Sequence, residues 1–353
     1  MTGVAVGAPR RTAALTARTG TAARWLAACT AALVIFSAFI LANDVDPLSV
    51  LGTIWTSVLT EPRQVEQILV RATPFALAAL AVVVPGRAGL VNVGGEGQVI
   101  VGAVAAAGAG MWVGADAAPA VAVTVMVLAA VVAGGAWAGI AAALRLVGDV
   151  NEAVTTVLLN FVALYLMLFL ILGSWRDDAA MGQATSPEIG PGAKLPLLGT
   201  SGVHVGIVVA VIAALVIWFA FTRTTWGFRL TVVGGNPEAA RRAGLPVTVL
   251  LLSALVLGGV LAGLAGYVHL AGAEYKLRPT FGANIGYIGF LASWLARHRP
   301  LAVLVSAAAV AAIAITGNTL QISAGLPAAS VNILMGLVLV AVLGWTSVRK
   351  ADA

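Results

Sequence analysis

A chain of 353 residues that is 60% hydrophobic and 10% charged, with a mean hydropathy of +1.01, has too little polar surface to coat a soluble globule. Lipid must solvate much of it, and no alternating strand pattern supports a membrane β-barrel instead. The net charge of +6 would suggest nucleic-acid binding in a soluble protein, but these charges sit mainly between apolar runs, so no nucleic-acid partner is expected. The single cysteine, Cys29, excludes an intrachain disulfide and argues against a thiol metal site.

Residues 1–24 carry Arg10, Arg11, Arg18 and Arg24 among Ala, Thr and Gly, and are expected to form a disordered basic cytoplasmic tail. The apolar run from Trp25 to Ala42 is too long for a signal core, and no small-x-small cleavage site precedes Asn43 and Asp44. It is therefore expected to be a retained first span. Further apolar runs at about 66–85, 97–114, 119–143, 151–174, 203–222, 247–271, 282–296, 300–316 and 327–346 complete ten expected helices. The third and eighth are interrupted by glycine and read as broken or re-entrant. The expected fold class is an all-α polytopic membrane protein, with a transmembrane domain over 25–346 and a cytoplasmic tail at 347–353.

Charge placement orients these spans. With the N-terminus inside, Arg10, Arg11, Arg18, Arg24, Arg87, Arg145, Arg223, Arg229, Arg241, Arg242, Arg297, Arg299, Arg349 and Lys350 fall on the inner side. The outer side keeps Arg63, Arg71, Arg176, Lys194, Lys276 and Arg278, as the positive-inside rule requires. An even number of spans, with both termini inside, preserves this bias. Trp25, Trp112, Trp175, Trp226 and Trp345 near span ends fit interfacial anchoring.

Between the second and third spans, Gly89-Leu-Val-Asn-Val-Gly-Gly-Glu-Gly-Gln98 combines helix-breaking glycines with Asn92, Glu96 and Gln98. Irregular polar backbone at membrane depth is tolerated only against protein or a water-filled path, so these three are candidates to line a solute path. A solvated inner turn is the alternative. The start of the fifth span, Asp149-Val-Asn-Glu-Ala-Val-Thr-Thr-Val-Leu-Leu-Asn160, offers Asp149 or Asn151 as a cap, and Glu152 suits the helix dipole. Thr156 and Asn160, one turn apart, either line a path or bond a neighbouring helix.

The inner connection 223–246 contains a short helix with its own punctuation. Asn236 caps it, Pro237 takes the first helical position, Glu238 complements the dipole, and Gly244 and Pro246 end it. Together with Gly234, Arg241 and Arg242, this forms a compact knob on which Ala239, Ala240 and Ala243 allow a partner to approach closely. An ordinary arginine-rich loop is the alternative. Asn284, Asn318, Gln321 and Asn332 add amides near or within spans, suited to a neutral polar solute. His204, His269 and His298 read as isolated residues with surface or packing roles. No Gly-Lys pair of a phosphate-binding loop occurs, so the chain cannot bind ATP by that route, and no zinc-protease or nucleophile-elbow motif is present.

Taken in order, these segments resemble the permease subunits of ATP-binding-cassette importers in the ribose, nucleoside and branched-chain amino acid group, over about residues 66–345. The sharpest stretch, Gly89 to Gln98, is similar to that family's G-L-F-N-I-G-x-E-G-Q. Val150 to Asn160, Ala193-Lys-Leu-Pro196 with His204, and Gly227-Phe-Arg through Gly244 look most like the nucleoside-type branch. The resemblance implies a bacterial plasma-membrane permease that does no bond chemistry. It also implies a partner ATPase holding ATP and Mg and docking on Asn236 to Gly244, an extracytoplasmic solute-binding protein, and a second, homologous permease completing the pore. Gly286 to Leu301 departs from the family pattern by placing Phe290 and Trp294 where small residues are usual. If that segment lines the path, the size or shape of solute differs from the family norm. A nucleoside is the expected solute and a simple sugar such as ribose the alternative. An ion-coupled secondary carrier would need intramembrane ionisable residues, and almost none lies at the centre of any span.

Overall fold

The computed structural model describes residues 30, 33–42, 45–59, 61–148, 150–324, 333, 336 and 337. The expected tails 1–24 and 347–353 lie outside the described residues, as does most of the expected last span. Described residues up to Ser57 and from Thr316 fall into one compact unit, and Val58–Ile315 into another.

In the first unit, helical residues 33–41 are followed by α1 (Pro47–Leu59). Asp46 starts α1 by accepting the N–H groups of Leu48 at 3.1 Å and Ser49 at 3.0 Å, with Pro47 at the first helical position. Phe36, Ile40 and Val50 form its buried cluster, with Phe39, Val45 and Leu337 packed on it. The sequence reading treats 43–65 as a connection, and α1 is an addition to it. At 13 residues it is about 20 Å long, too short to cross a bilayer.

The second unit holds α2 (Pro62–Arg87), α3 (Gly95–Val113), α4 (Pro119–Gly148), α5 (Glu152–Leu172), α6 (Gly206–Arg223), α7 (Thr225–Gly235), α8 (Pro237–Arg242), α9 (Val247–His269), α10 (Ile285–Leu295) and the beginning of α11 (Ala302–Ala324). Helices α2 to α6, and α9 with its π-helical extension Leu270–Glu274, are each long and apolar enough to cross a membrane. No strand occurs among the described residues, only an isolated bridge between Leu197 and His204. The third expected span is a continuous helix, whereas the eighth is the 11-residue α10, about 16 Å long.

Helix α2 is the most deeply buried of the long apolar helices. Leu77 through Ala81 are fully buried, as expected for a helix apolar on every side. Helix α9 packs on α2, α3 and α4, meeting α3 and α4 backbone to backbone. A Cβ on Gly263 would lie 2.2 Å from the Ala130 carbonyl oxygen, and one on Gly266 would lie 2.1 Å from that of Val99. In lipid no hydrophobic force drives helices together, so close van der Waals approach through small residues supplies the cohesion.

The connections gather at two ends. At one, which carries the arginines, Arg87 donates to Thr231 Oγ1 at 2.9 Å and lies over the Phe221 ring, and Gly234 packs on the Arg87 carbonyl. At the other, segment 186–195 straps across the end of α9. Ser186 and Leu277 exchange hydrogen bonds, Ile189 N–H donates to Tyr275, and Leu195 N–H takes the carbonyl of Ala271 within the π-helical turn.

Candidate functional site

The loop 88–94 turns back along α2 until the Asn92 side chain donates to the Ala81 carbonyl at 3.3 Å. Asn92 and Gln98 then pair amide to amide at 3.0 and 3.1 Å, and Asn92 Oδ1 also accepts the Gly94 N–H. From α5, Asn160 Oδ1 accepts the Gly97 N–H at 2.8 Å, while its Nδ2 donates to Val93 O and to the Tyr287 hydroxyl. Glu96 reaches α10, where its two carboxylate oxygens accept the N–H groups of Asn284 and Gly286, each at 2.7 Å. These are donors that the first turn of α10 leaves without intrahelical partners, at the positive end of its dipole.

Two helix N-termini, those of α3 and α10, therefore meet at one carboxylate. A Cβ on Gly286 would come within 2.0 Å of the Glu96 nitrogen, so only glycine permits the approach. Gly289 packs on Ala78, and the His298 ring on Gly86, which fixes α10 along α2. Gly286 then lies about 18 Å from the Arg87 end of a helix about 39 Å long, near its middle. The polar centre is at mid-depth in the bundle.

The structure thus brings together Asn92, Glu96, Gln98, Asn160 and Asn284 from the sequence candidates. Asn92, Glu96, Gln98 and Asn160 are buried and bonded to the backbone or to one another. Thr156 is buried, donates to the Ala153 carbonyl, and packs on Gly94. Asn284 adopts a left-handed backbone (φ 70°), and its side chain is exposed beside exposed Tyr287. Asn318 and Gln321 fall on α11 where side chains lie outside the described residues, and Asn332 lies outside them entirely. Sequence reasoning missed Tyr287 and Gly286. It also assigned Glu152 to capping alone, whereas Asn151 is the cap and Glu152 pairs with Arg145 and accepts the Val91 N–H at 3.3 Å.

At the arginine-rich end, α8 follows its sequence punctuation. Asn236 Oδ1 accepts the Ala239 N–H at 2.9 Å, Glu238 pairs with Arg241 and Arg242, and Gly244 turns at φ 78°. Ala240 is fully buried and anchors the knob, while Gly234, Pro237, Glu238, Ala239, Arg241, Arg242 and Gly244 are exposed. At the end of α10, His298 bonds Ser293 at 2.9 Å and meets the Trp294 ring edge to face, and Trp294 in turn lies tilted against Phe290. Burial lowers the pKa of His298.

At the strap end, His204 and His269 are less isolated than their sequence positions suggest. The His204 ring sits between Gly206 and Gly272, its Nδ1 accepting the Gly206 N–H at 3.1 Å, and burial lowers its pKa. His269 lies 3.9 Å from Glu274, which pairs with Arg278, and its ring meets Phe281. Only the tight glycines at 206 and 272 could have signalled the His204 packing.

Long apolar helices around a polar mid-depth centre define a multi-pass membrane protein, with no cluster of metal ligands among the described residues. The chain belongs to the family of permease components of branched-chain amino acid transport systems, whose model matches residues 64–343. It is 36% identical over 335 residues to the glucose ABC transporter permease protein TsgB13 of Haloferax volcanii, covering 89% of this chain and 87% of that one. It is 29% identical to the guanosine ABC transporter permease protein NupP of Bacillus subtilis, covering 84% and 86%, and 28% identical to NupQ, a guanosine permease of the same organism, covering 81% and 92%. The chain is an ABC-type permease subunit, and its relatives carry sugars and nucleosides.

Proposed function

We propose that this chain is the membrane-spanning subunit of an ATP-driven importer that moves nucleosides by alternating access. The observation that carries this is the mid-depth polar centre, built of amides and one carboxylate already bonded to a helix end. Beside it stands the exposed amide of Asn284, which can donate to and accept from a neutral solute. In this reading ten spans place both termini and the arginine-rich end in the cytoplasm. A separate ATPase, binding ATP and Mg, docks there on Gly234, Asn236 to Arg242 and Gly244. A solute-binding protein delivers its cargo at the strap end, and a second permease completes the pore, a pairing supported by similarity to both NupP and NupQ.

A simple-sugar permease is the second reading, favoured by the likeness to TsgB13. Uptake of labelled nucleosides, ribose and glucose into cells lacking other carriers decides between them. Nucleoside uptake above that of both sugars is expected, and sugar uptake without nucleoside uptake would reverse the ranking.

A further inference from the structure

The broken span that ends in α10 has one half without helix. After the π-helical turn closes at Glu274, residues 275–284 lead from the strap end to the Glu96 centre through turns and irregular chain. One side of this segment is pinned. Leu277 N–H donates to Ser186 Oγ at 2.9 Å, the Phe281 ring meets that of His269, and Asn284 N–H donates to Glu96. A Cβ on Gly282, which turns at φ 68°, would meet Val99 and Ile100 at 3.7 and 3.9 Å. The other side is open, with Arg278, Pro279, Thr280, Ala283 and Asn284 exposed. Among the described residues neither the Thr280 hydroxyl nor the Asn284 side-chain amide has a hydrogen-bond partner.

This open side lies at the depth of apolar helices. From Ile100, beside Gly282, α3 continues to Val113, about 20 Å further toward the strap end. From Asn160, which bonds Tyr287, α5 continues to Leu172, about 18 Å further. Irregular backbone does not face lipid at such depth, because hydrocarbon offers its N–H and C=O groups no partner. Charge leads to the same exclusion. Arg278 pairs with Glu274, and Arg71, exposed about 14 Å into α2, acts electrostatically on the His269 that meets Phe281. Charged side chains inside a span face protein or water.

We propose that the exposed side of 278–284 lines the outer, water-filled half of the solute path, with Arg71 and Arg278 at its mouth and Asn284 at its inner end. Thr280 and Asn284 offer donors and acceptors in series to a hydrophilic solute. Two arginines against the single carboxylate of Glu274 repel cations, so the solute class is one without positive charge. The proposal rests on the importer reading and not on the choice between nucleoside and sugar.

In a Cys29→Ala background, Thr280→Cys and Ala283→Cys are assembled with the partner subunits in sealed vesicles whose strap end faces outward. Val132→Cys, on the exposed face of α4, is the control. Anionic and cationic membrane-impermeant thiosulfonates are added outside, with or without guanosine, ribose or glucose. Labelling of positions 280 and 283 but not of 132 is expected. It should be faster with the anionic reagent once each rate is divided by that for a free thiol, and slowed at 283 by the solute that the wild type takes up. No labelling at 280 and 283 would overturn the water-filled path and place the segment against the second permease. Equal corrected rates for the two reagents would rule out the exclusion of cations. Labelling that no transported solute slows would leave water there but refute the solute path. Uptake of ribose or glucose without guanosine, with labelling as expected, would end the nucleoside reading and leave the path standing. In parallel, Ala283→Trp should abolish uptake and Ala283→Ser retain it, with co-purification of the partner subunits unchanged in both. Uptake retained by assembled Ala283→Trp would also overturn the path.

Discussion

Glu96 shows what a single residue contributes. Its carboxylate holds the first turn of a helix that lies 188 residues away in sequence, and no capping side chain of α10 does that work instead. Glu96→Gln keeps the shape but offers an NH2 group to a backbone N–H, leaving a buried donor unmet at about 1–3 kcal/mol. Thermal unfolding in detergent should therefore begin several degrees lower for Glu96→Gln, and lower again for Glu96→Ala. Melting of Glu96→Gln at the wild-type temperature would show that the clamp adds nothing. The gathering of Asn92, Glu96 and Gln98 among glycines was legible in the sequence, because so many polar and helix-breaking residues rarely coincide in an apolar chain. Their partners were not. Hydrogen bonds to backbone N–H groups of a distant helix leave no side-chain signature, and Tyr287 reads in isolation as one more aromatic residue in an apolar run.

Among elements, the helices whose ends are written in side chains were the most legible. Asn236, Pro237 and Gly244 set the limits of α8, and Asn151 starts α5, each through local capping chemistry. Although Asp46-Pro47 is the same kind of start signal, α1 was missed because its 13 residues are too few to register as a span. Packing of α9 on α3 and α4 was equally hidden, since glycines in an apolar helix look alike whether or not a neighbour touches them. The structure separates them. Gly263→Ala would drive a methyl group into the Ala130 carbonyl, and overpacking of this kind costs about 1–3 kcal/mol. Gly139, whose Cβ would meet only Val256 Cγ2 at 3.8 Å, should accept alanine. Yield and melting temperature of the two variants measure the difference, and equal behaviour would refute backbone-level packing at Gly263.

For the whole molecule, alternation of the helices sends their connections to two ends of unlike chemistry, one rich in arginine and one covered by the strap. Placement of the basic residues made that division legible from the sequence, since they fall mainly between the apolar runs. The exposed knob α8, anchored by buried Ala240 and braced through α7 on Arg87, is the surface proposed for the ATPase. Gly244→Arg adds bulk and charge at a left-handed turn, and deletion of 236–244 removes the knob. Both should abolish uptake and co-purification of the ATPase while membrane insertion continues. Normal co-purification would sink the docking assignment.

The meeting of two helix ends at Glu96 also has an electrical meaning. Each N-terminus presents about half a positive charge, and the Glu96 carboxylate, in its ionised form, brings their sum near zero. The midplane is then close to neutral, although three formal sources of charge converge there.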